Sequence, residues 1–215
     1  LTRSEERKTG FEHSVELILR ERVINQGTVD CTEFALQYGM AMNIAGGTHH
    51  AFSNRGEGFC LLNDIAMGAH YLLNHKQLNR ILVVDLDVHQ GNGTAEIFKN
   101  EERVFTFSMH GEHNYPLQKE QSNLDIGLPD GTKDDDYLKV LTSHYHQLIT
   151  NFKPDFIFFQ TGVDIINTDK LGRMAISIDG CKKRDEIVLS TAERHQIPVC
   201  MSMGGGYSPD IKHIV

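Results

Sequence analysis

Three aspartates and a histidine stand where apolar runs of the chain end. Ile81-Leu82-Val83-Val84-Asp85-Leu86-Asp87-Val88-His89 carries Asp85, Asp87 and His89 at every second position. A strand would place those three on one face and Leu86 and Val88 on the other. Two carboxylates and an imidazole on one face of a buried strand are costly without a compensating cation or donor. Asp and His are both zinc-competent ligands. In isolation the motif reads equally well as a polar strand end hydrogen-bonded to nearby loops. Asp164 follows the apolar segment 155–160 in the same manner, and alone it reads as a loop or N-cap residue. With Asp87 and His89 it makes an Asp/His/Asp set. Such a set leaves a fourth position for water, the arrangement of a catalytic zinc site.

Two further groups suit that chemistry. His49-His50 follows Gly46-Gly47, a segment whose backbone can pass close to something. Adjacent histidines can be a surface coincidence; beside a metal-bound water they are candidates for general base and general acid. Tyr207 follows Gly204-Gly205-Gly206. It is either a half-buried residue at a strand end or a hydroxyl aimed at a developing oxyanion.

The elements that must position these residues are legible as alternating strands and helices. Residues 11–24 have helical periodicity, Thr32 to Met42 reads as a second helix with Thr32 as its N-cap, and 63–74 as a third opened by Asn63-Asp64. Strands are expected at 81–88, 104–108, 156–160 and 198–203, and helices at 94–99, 134–152 and 180–195; 109–132 reads as a long loop. Asp134-Asp135-Asp136 suits a helix start, where acidic residues meet the positive end of the dipole, although an acidic rim could also attract lysine-rich partners. The pattern predicts an α/β fold of three layers, a central parallel sheet flanked by helices. Ligands of open parallel sheets sit at the carboxyl ends of strands, where the unusual residues collect.

Composition narrows the function classes. The chain has 215 residues, with 21 Lys+Arg against 29 Asp+Glu and a formal charge of −8. That argues against direct nucleic-acid binding by charge alone. No apolar run reaches the ~18 residues of a membrane span, and residues 1–8 are too charged for a signal peptide. Cys31, Cys60, Cys181 and Cys200 show no short spacing, so reduced thiols in a cytoplasmic protein are expected.

The motifs Gly46-Gly47-Thr48-His49-His50-Ala51, Gly58-Phe59-Cys60-Leu61-Leu62-Asn63-Asp64, Asp85-Leu86-Asp87-Val88-His89-Gln90-Gly91-Asn92-Gly93-Thr94, Gly162-Val163-Asp164 and Gly204-Gly205-Gly206-Tyr207 occur in that order. Together they resemble the zinc-dependent histone deacetylase superfamily, which has the arginase/deacetylase-like fold. The wording around Asn92 is most similar to the class IV and bacterial deacetylase-like branch. The resemblance implies that Asp87, His89 and Asp164 bind one zinc, with ferrous iron as the alternative. It implies that His49 and His50 flank the activated water, that Asp85 is the carboxylate partner of His49, and that Tyr207 polarises the scissile carbonyl. Gly58 and Phe59 would form one wall of the acyl-lysine tunnel and Tyr115 the other, with His110 and His113 flanking that loop. A structural potassium would involve Asp85, Asp87, His89, Ser108 and Met109, partly through main-chain oxygens; a second would lie near Phe98, Glu101 and Val104. His144 and His146 are read as solvated or capped.

Two departures stand out. Asn92 occupies the place of an Asp that pairs with the second histidine in many members, which should leave His50 less basic. The family's opening strand and its acidic substrate-gripping loop are not in residues 1–215, so a single deacetylase-like catalytic domain lacking that N-terminal part is expected. The implied activity is removal of acetyl or longer acyl groups from lysine side chains of proteins. Acylated polyamines or other small acylated amines are alternative substrates. A two-manganese arginase-like hydrolase and a non-catalytic acyl-lysine-binding module are the competing readings; the sequence does not indicate an oligomeric state.

Overall fold

The computed structural model describes residues 2–214. Its two central strands, β2 (Ile81–Asp85) and β5 (Phe156–Gln160), are buried at every position, as befits strands covered on both faces. Along β2 the side chains alternate between two cores. Leu82 and Val84 join Phe107, Leu141, Tyr145, Phe159 and Val188 on one side. Ile81 and Val83 join Ala35, Ile65, Ala69, Leu72 and Phe158 on the other. A sheet with helices on both faces follows directly, and each fully buried aliphatic or aromatic side chain contributes roughly 1.5–3 kcal/mol.

The elements run α1 (Arg3–Thr9), α2 (Val15–Tyr38), β1 (Met40–Asn43), α3 (Asp64–Tyr71), β2, α4 (Asn92–Phe98), β3 (Val104–Gly111), β4 (Leu124–Leu128), α5 (Asp134–Phe152), β5, α6 (Ile178–Arg194) and β6 (Val199–Ser202). The strands form one sheet in the order β1-β6-β5-β2-β3-β4, and all five pairings are parallel. The α/β three-layer architecture is therefore as expected. Helix α5 shows why its bounds were legible: Tyr137, Leu141, Tyr145 and Leu148 are buried along one stripe, the spacing of an amphipathic helix.

Elsewhere the elements differ from expectation. The two helices read at 11–24 and 32–42 are the single helix α2, and Thr32 is not its N-cap. Ser14 caps it through Leu17 N at 3.1 Å, while the Thr32 hydroxyl donates back to Val29 O at 2.7 Å and so is satisfied inside the helix. Helix α1 is an additional element, opened by a capping box between Thr2 and Glu5. Strand β1 occupies the expected end of the second helix. Strand β4 lies within the segment read as loop; it is a short edge strand whose Gly127 and Asp125 mask the alternation. Strand β2 stops at Asp85, not at residue 88. Asp134 accepts from Ser177 N at 2.8 Å and so ties the start of α5 to the start of α6, while Asp135 and Asp136 stay exposed.

Candidate active site

Beyond β2 the backbone bends, and carboxylates hold the bends. Asp85 Oδ1 accepts from Asp87 N (3.2 Å), Asp87 Oδ1 from His89 N (3.0 Å) and Asp164 Oδ1 from Val88 N (2.8 Å). The shared face of Asp85, Asp87 and His89 is thus made by this turn and by the loop after β5, not by strand pleating. The structure brings the three candidate ligands together: donor atoms of Asp87, His89 and Asp164, one from each, all lie within 4.8 Å of one another, and all three residues are buried. His89 Nδ1 is 3.0 Å from Asp87 Oδ1 and 3.0 Å from Asp164 Oδ2.

The charge of this group fits a cation. Burial disfavours an imidazolium, yet hydrogen bonds to Asp164 and Asp87 push His89 up to about 10. Burial and the neighbouring Asp87 push Asp164 up to about 7. Two buried carboxylates and an imidazole gathered this closely form a donor set of the kind that holds a divalent ion. The carboxylate oxygens turned away from His89 Nδ1 accept from backbone: Gly205 N donates to Asp87 Oδ2 at 2.8 Å and Val88 N to Asp164 Oδ1 at 2.8 Å. A Cβ on Gly205 would run into Asp164, so only glycine lets the β6 loop approach that closely.

The tandem histidines stand beside this cluster, with ring centroids 4.1 Å apart. His49 Nδ1 lies 2.7 Å from Asp85 Oδ2 and His50 Nδ1 lies 2.7 Å from Asn92 Oδ1. Burial opposes charge on His49, but the Asp85 and Asp87 carboxylates outweigh it and raise it to about 9. His50 is pushed well down, by burial and then by the charge of His49; the neutral Asn92 cannot offset this. Asp64 fixes the segment that carries both: it accepts from Gly47 N (3.1 Å), Thr48 N (2.8 Å) and Thr48 Oγ1 (2.7 Å).

Asp87, His89, His49, His50, Phe59 and Tyr207 line a single cavity of about 370 Å³. Phe59 is half exposed and lies 6.4 Å from the Tyr207 ring, centroid to centroid. Tyr115 stands perpendicular to His50 at 4.9 Å, and its hydroxyl donates to Glu57 Oε1 at 2.5 Å. Gly58, Phe59 and Tyr115 all line an outer chamber that opens onto His50, His89 and Tyr207. Burial, then Asp87 and Asp164, push the Tyr207 phenol up, so its proton stays on. Ser108 is the register partner of Asp85 across β3, with Met109 next to it. The carbonyls of Phe98 and Glu101 accept from Glu101 N and Val104 N at 3.0 Å each, closing the turn into β3. His110 does not reach the substrate side; it is buried against Ser108 Oγ at 2.9 Å, and burial pushes it down to about 4. His113 does line the outer chamber. His146 reaches from α5 to Thr191 Oγ1 of α6 at 3.3 Å.

Residues 5–213 match the Histone deacetylase domain family. The chain belongs to the histone deacetylase family. It is 45% identical over 215 residues to an uncharacterized protein of Picosynechococcus sp., covering 100% of this chain and 72% of that one. It is 33% identical over 192 residues to Histone deacetylase 2 of Arabidopsis thaliana, 88% of this chain and 50% of the relative. Among solved structures, an HDAC homologue from Aquifex aeolicus aligns with a TM-score of 0.78 at 30% identity, over 89% of this chain and 54% of that one. An HDAC homologue complexed with SAHA aligns at 0.76 and 30% identity, over 87% and 52%. The chain therefore spans about half the length of these histone deacetylase relatives.

Three residues that support this family site escaped the sequence reading. Asp64 looked like a helix-start acid. Gln160 bonds Gly47 O at 2.8 Å and accepts from Ser202 Oγ at 2.8 Å, joining the histidine segment to β5 and β6. Arg184 is fully buried, with its guanidinium on Gly162 O (2.6 Å), Thr161 O (3.0 Å) and Leu86 O (3.3 Å). These carbonyls belong to the two loops that carry Asp87 and Asp164. An Arg inside an apolar helix face is a signal for such a role, but not for its target. Arg184→Met should lower stability by about 3–5 kcal/mol, since it strands three buried carbonyls. Arg184→Lys should recover little, because an ammonium lacks the planar fork. Urea unfolding of the two variants tests this; a loss below 1 kcal/mol would refute the role.

Proposed function

We propose that the chain is a catalytic unit of a metal-dependent amide hydrolase that removes acetyl or longer acyl groups from lysine side chains. The observation that carries this reading is the convergence of Asp87, His89 and Asp164 in one cavity with His49, His50 and Tyr207. Asp87, His89 and Asp164 would hold one divalent ion, zinc or ferrous iron, which when bound supplies a Lewis acid and an acidified water. The residues of the chain do the rest. His49, oriented by Asp85, and His50, oriented by Asn92, stand where one can take the proton of the attacking water and one can return a proton to the departing amine. The Tyr207 hydroxyl donates to the carbonyl oxygen as charge builds on it. Gly58, Phe59 and Tyr115 guide the acyl-lysine stem. A structural potassium at Asp85, Asp87, His89, Ser108 and Met109 draws support from Asp85 standing opposite Ser108 in the register of β2 and β3, and a second would lie at the turn near Phe98, Glu101 and Val104. The HDAC homologue complexed with SAHA shows that a relative of this fold binds that molecule. Four free, buried cysteines support a reducing, cytoplasmic setting, and among the described residues no helix is long and apolar enough to cross a membrane.

Metal analysis of the purified chain, paired with an acetyl-lysine peptide assay with and without chelator, tests the proposal. One ion per chain and chelator-sensitive acetate release are expected. Two ions would favour the arginase-like reading, and one ion without turnover a binding module.

The contact between His50 and Asn92 yields a pH prediction. A carboxylate in place of the amide stabilises the imidazolium, so Asn92→Asp raises the His50 pKa. The arm of the pH–rate profile set by His50 should move to higher pH by about 1 unit or more. Initial rates across pH 5–10 check it, and an unmoved profile refutes the coupling.

A further inference from the structure

The outer chamber differs in charge from the chain that builds it. The chain carries 29 acidic against 21 basic residues. Yet the chamber of about 510 Å³ in front of His50, His89 and Tyr207 is lined by Arg7, Lys8 and Arg173 and, among the described residues, by no Asp or Glu. Arg7 and Lys8 come from the last turn of α1, whose acids are engaged elsewhere: Glu5 in the capping box and Glu6 on His13 N at 3.2 Å. No ion pair to Arg7 or Lys8 occurs among the described residues. Arg173 has only an exposed, 3.5 Å contact to Asp130.

The backbone that carries Arg7 and Lys8 is also held in place. The carbonyls of Lys8 and Thr9 accept from Gly58 N (3.0 Å) and Phe59 N (3.1 Å). The clamp keeps Phe59 at φ 64°, a conformation that non-glycine residues seldom adopt. Phe11 packs edge-on against Phe59 at 5.8 Å. The end of α1 is thus part of the same wall as Phe59, and its charges border the entrance.

Resting on the deacetylase reading, we propose that this entrance selects acylated amines whose non-acyl part is anionic, and rejects acyl-lysines in lysine- and arginine-rich sequences. The shared chemistry is a carboxylate placed a few ångströms outside the tunnel, where Arg7, Lys8 and Arg173 meet it. An acidic peptide around the acyl-lysine and a free amino acid with its own α-carboxylate both supply one. An opening bordered mainly by one sign of charge concentrates counter-ions and repels like charge, and exposed charges such as these do so most at low salt.

The test uses the full chain loaded with the metal that supports turnover. The substrates are acetyl-lysine peptides of equal length flanked by Asp/Glu, by Ser/Gly or by Lys/Arg, together with free Nε-acetyl-lysine and its α-N-acetyl, carboxamide derivative. At low salt the acidic peptide should exceed the basic one in kcat/KM by about 10-fold or more, and the gap should shrink at 0.5 M salt, where exposed charges are screened. The pair of small substrates separates the sources: a preference for free acetyl-lysine over its neutral derivative points to an amino acid, equality points to a peptide. The double variant Arg7→Glu, Lys8→Glu, and separately Arg173→Glu, should reduce or invert the acidic-to-basic ratio. The ratio is the readout, so a general loss of activity does not imitate the result. Equal rates for all flanks, or a basic preference in the parent chain, overturns the proposal. No turnover of any acetyl-lysine compound would instead count against the deacetylase reading, and binding of the same peptides labelled with a neutral fluorophore would still report the charge preference.

Discussion

Asp164→Asn is expected to abolish retention of a divalent ion and, with it, amide hydrolysis. The substitution removes one of two carboxylates from the donor set while keeping an oxygen that can accept from Val88 N, now bonded to Asp164 Oδ1 at 2.8 Å. The turn should survive, and the loss should be confined to the charge that holds the ion. Loss of partners that merely orient metal ligands costs ~10–100-fold in affinity; loss of a ligand should exceed that. The measurement need not depend on turnover. An ion that binds only the folded chain stabilises it by about 4 kcal/mol at 1,000 times its dissociation constant. Added zinc should therefore raise the Tm of the parent chain and leave that of Asp164→Asn almost unmoved, and elemental analysis should fall from one ion per chain to near none. A variant that still binds one ion tightly would sink the ligand assignment.

Tyr207→Phe should lower kcat by about 10²–10³-fold with little change in metal content or Tm. Removing one donor to a developing oxyanion costs about that much. The phenol is held in its protonated form by burial and by Asp87 and Asp164. Its ring lines the cavity with His49, His50 and the ligand cluster, and its exposure is 36%, so deleting the hydroxyl leaves no cavity in the core. The backbone is tied down independently, by Tyr207 N on Asp169 Oδ2 at 2.6 Å. Steady-state kinetics beside a thermal melt separates the two effects. Unchanged kcat would show that the hydroxyl does not meet the reacting carbonyl, and a large fall in Tm would show that the ring matters chiefly for packing.

The strands and helices that were legible are those whose periodicity is set by burial. β5 and α5 have the bounds read from the sequence because every residue of one and a full stripe of the other face the core. The elements missed are those without that constraint. α1 is short and mostly exposed, and β1 and β4 lie at the sheet's edges, where one side of the strand is unpaired and the pattern is diluted. α2 was divided because its buried polar residues find partners that only the structure reveals: Thr28 donates to Asp64 Oδ2 of α3 at 2.7 Å and Thr32 to Val29 O of its own helix at 2.7 Å.

For the site, the spacing of Asp85, Asp87 and His89 and the position of Asp164 marked candidates for one metal centre, because such groups are costly to bury without a cation or donor, and His49, His50 and Tyr207 joined them through the order of motifs that resembles a known family. Spacing and motif order could not determine how those groups come together. The convergence of Asp87 with Asp164 depends on a bend after β2, on Gly205 letting a neighbouring loop in, and on Arg184 gripping carbonyls of two loops from the far side of the sheet. The sign of charge at the entrance is likewise a tertiary property. Arg7 and Arg173 are 166 positions apart in the chain, and only the docking of α1 against Gly58 and Phe59 puts them around one opening. Local chemistry is written in the order of residues; contacts between distant segments are made by the packing of the sheet and its helices, and these decide which charges a substrate meets.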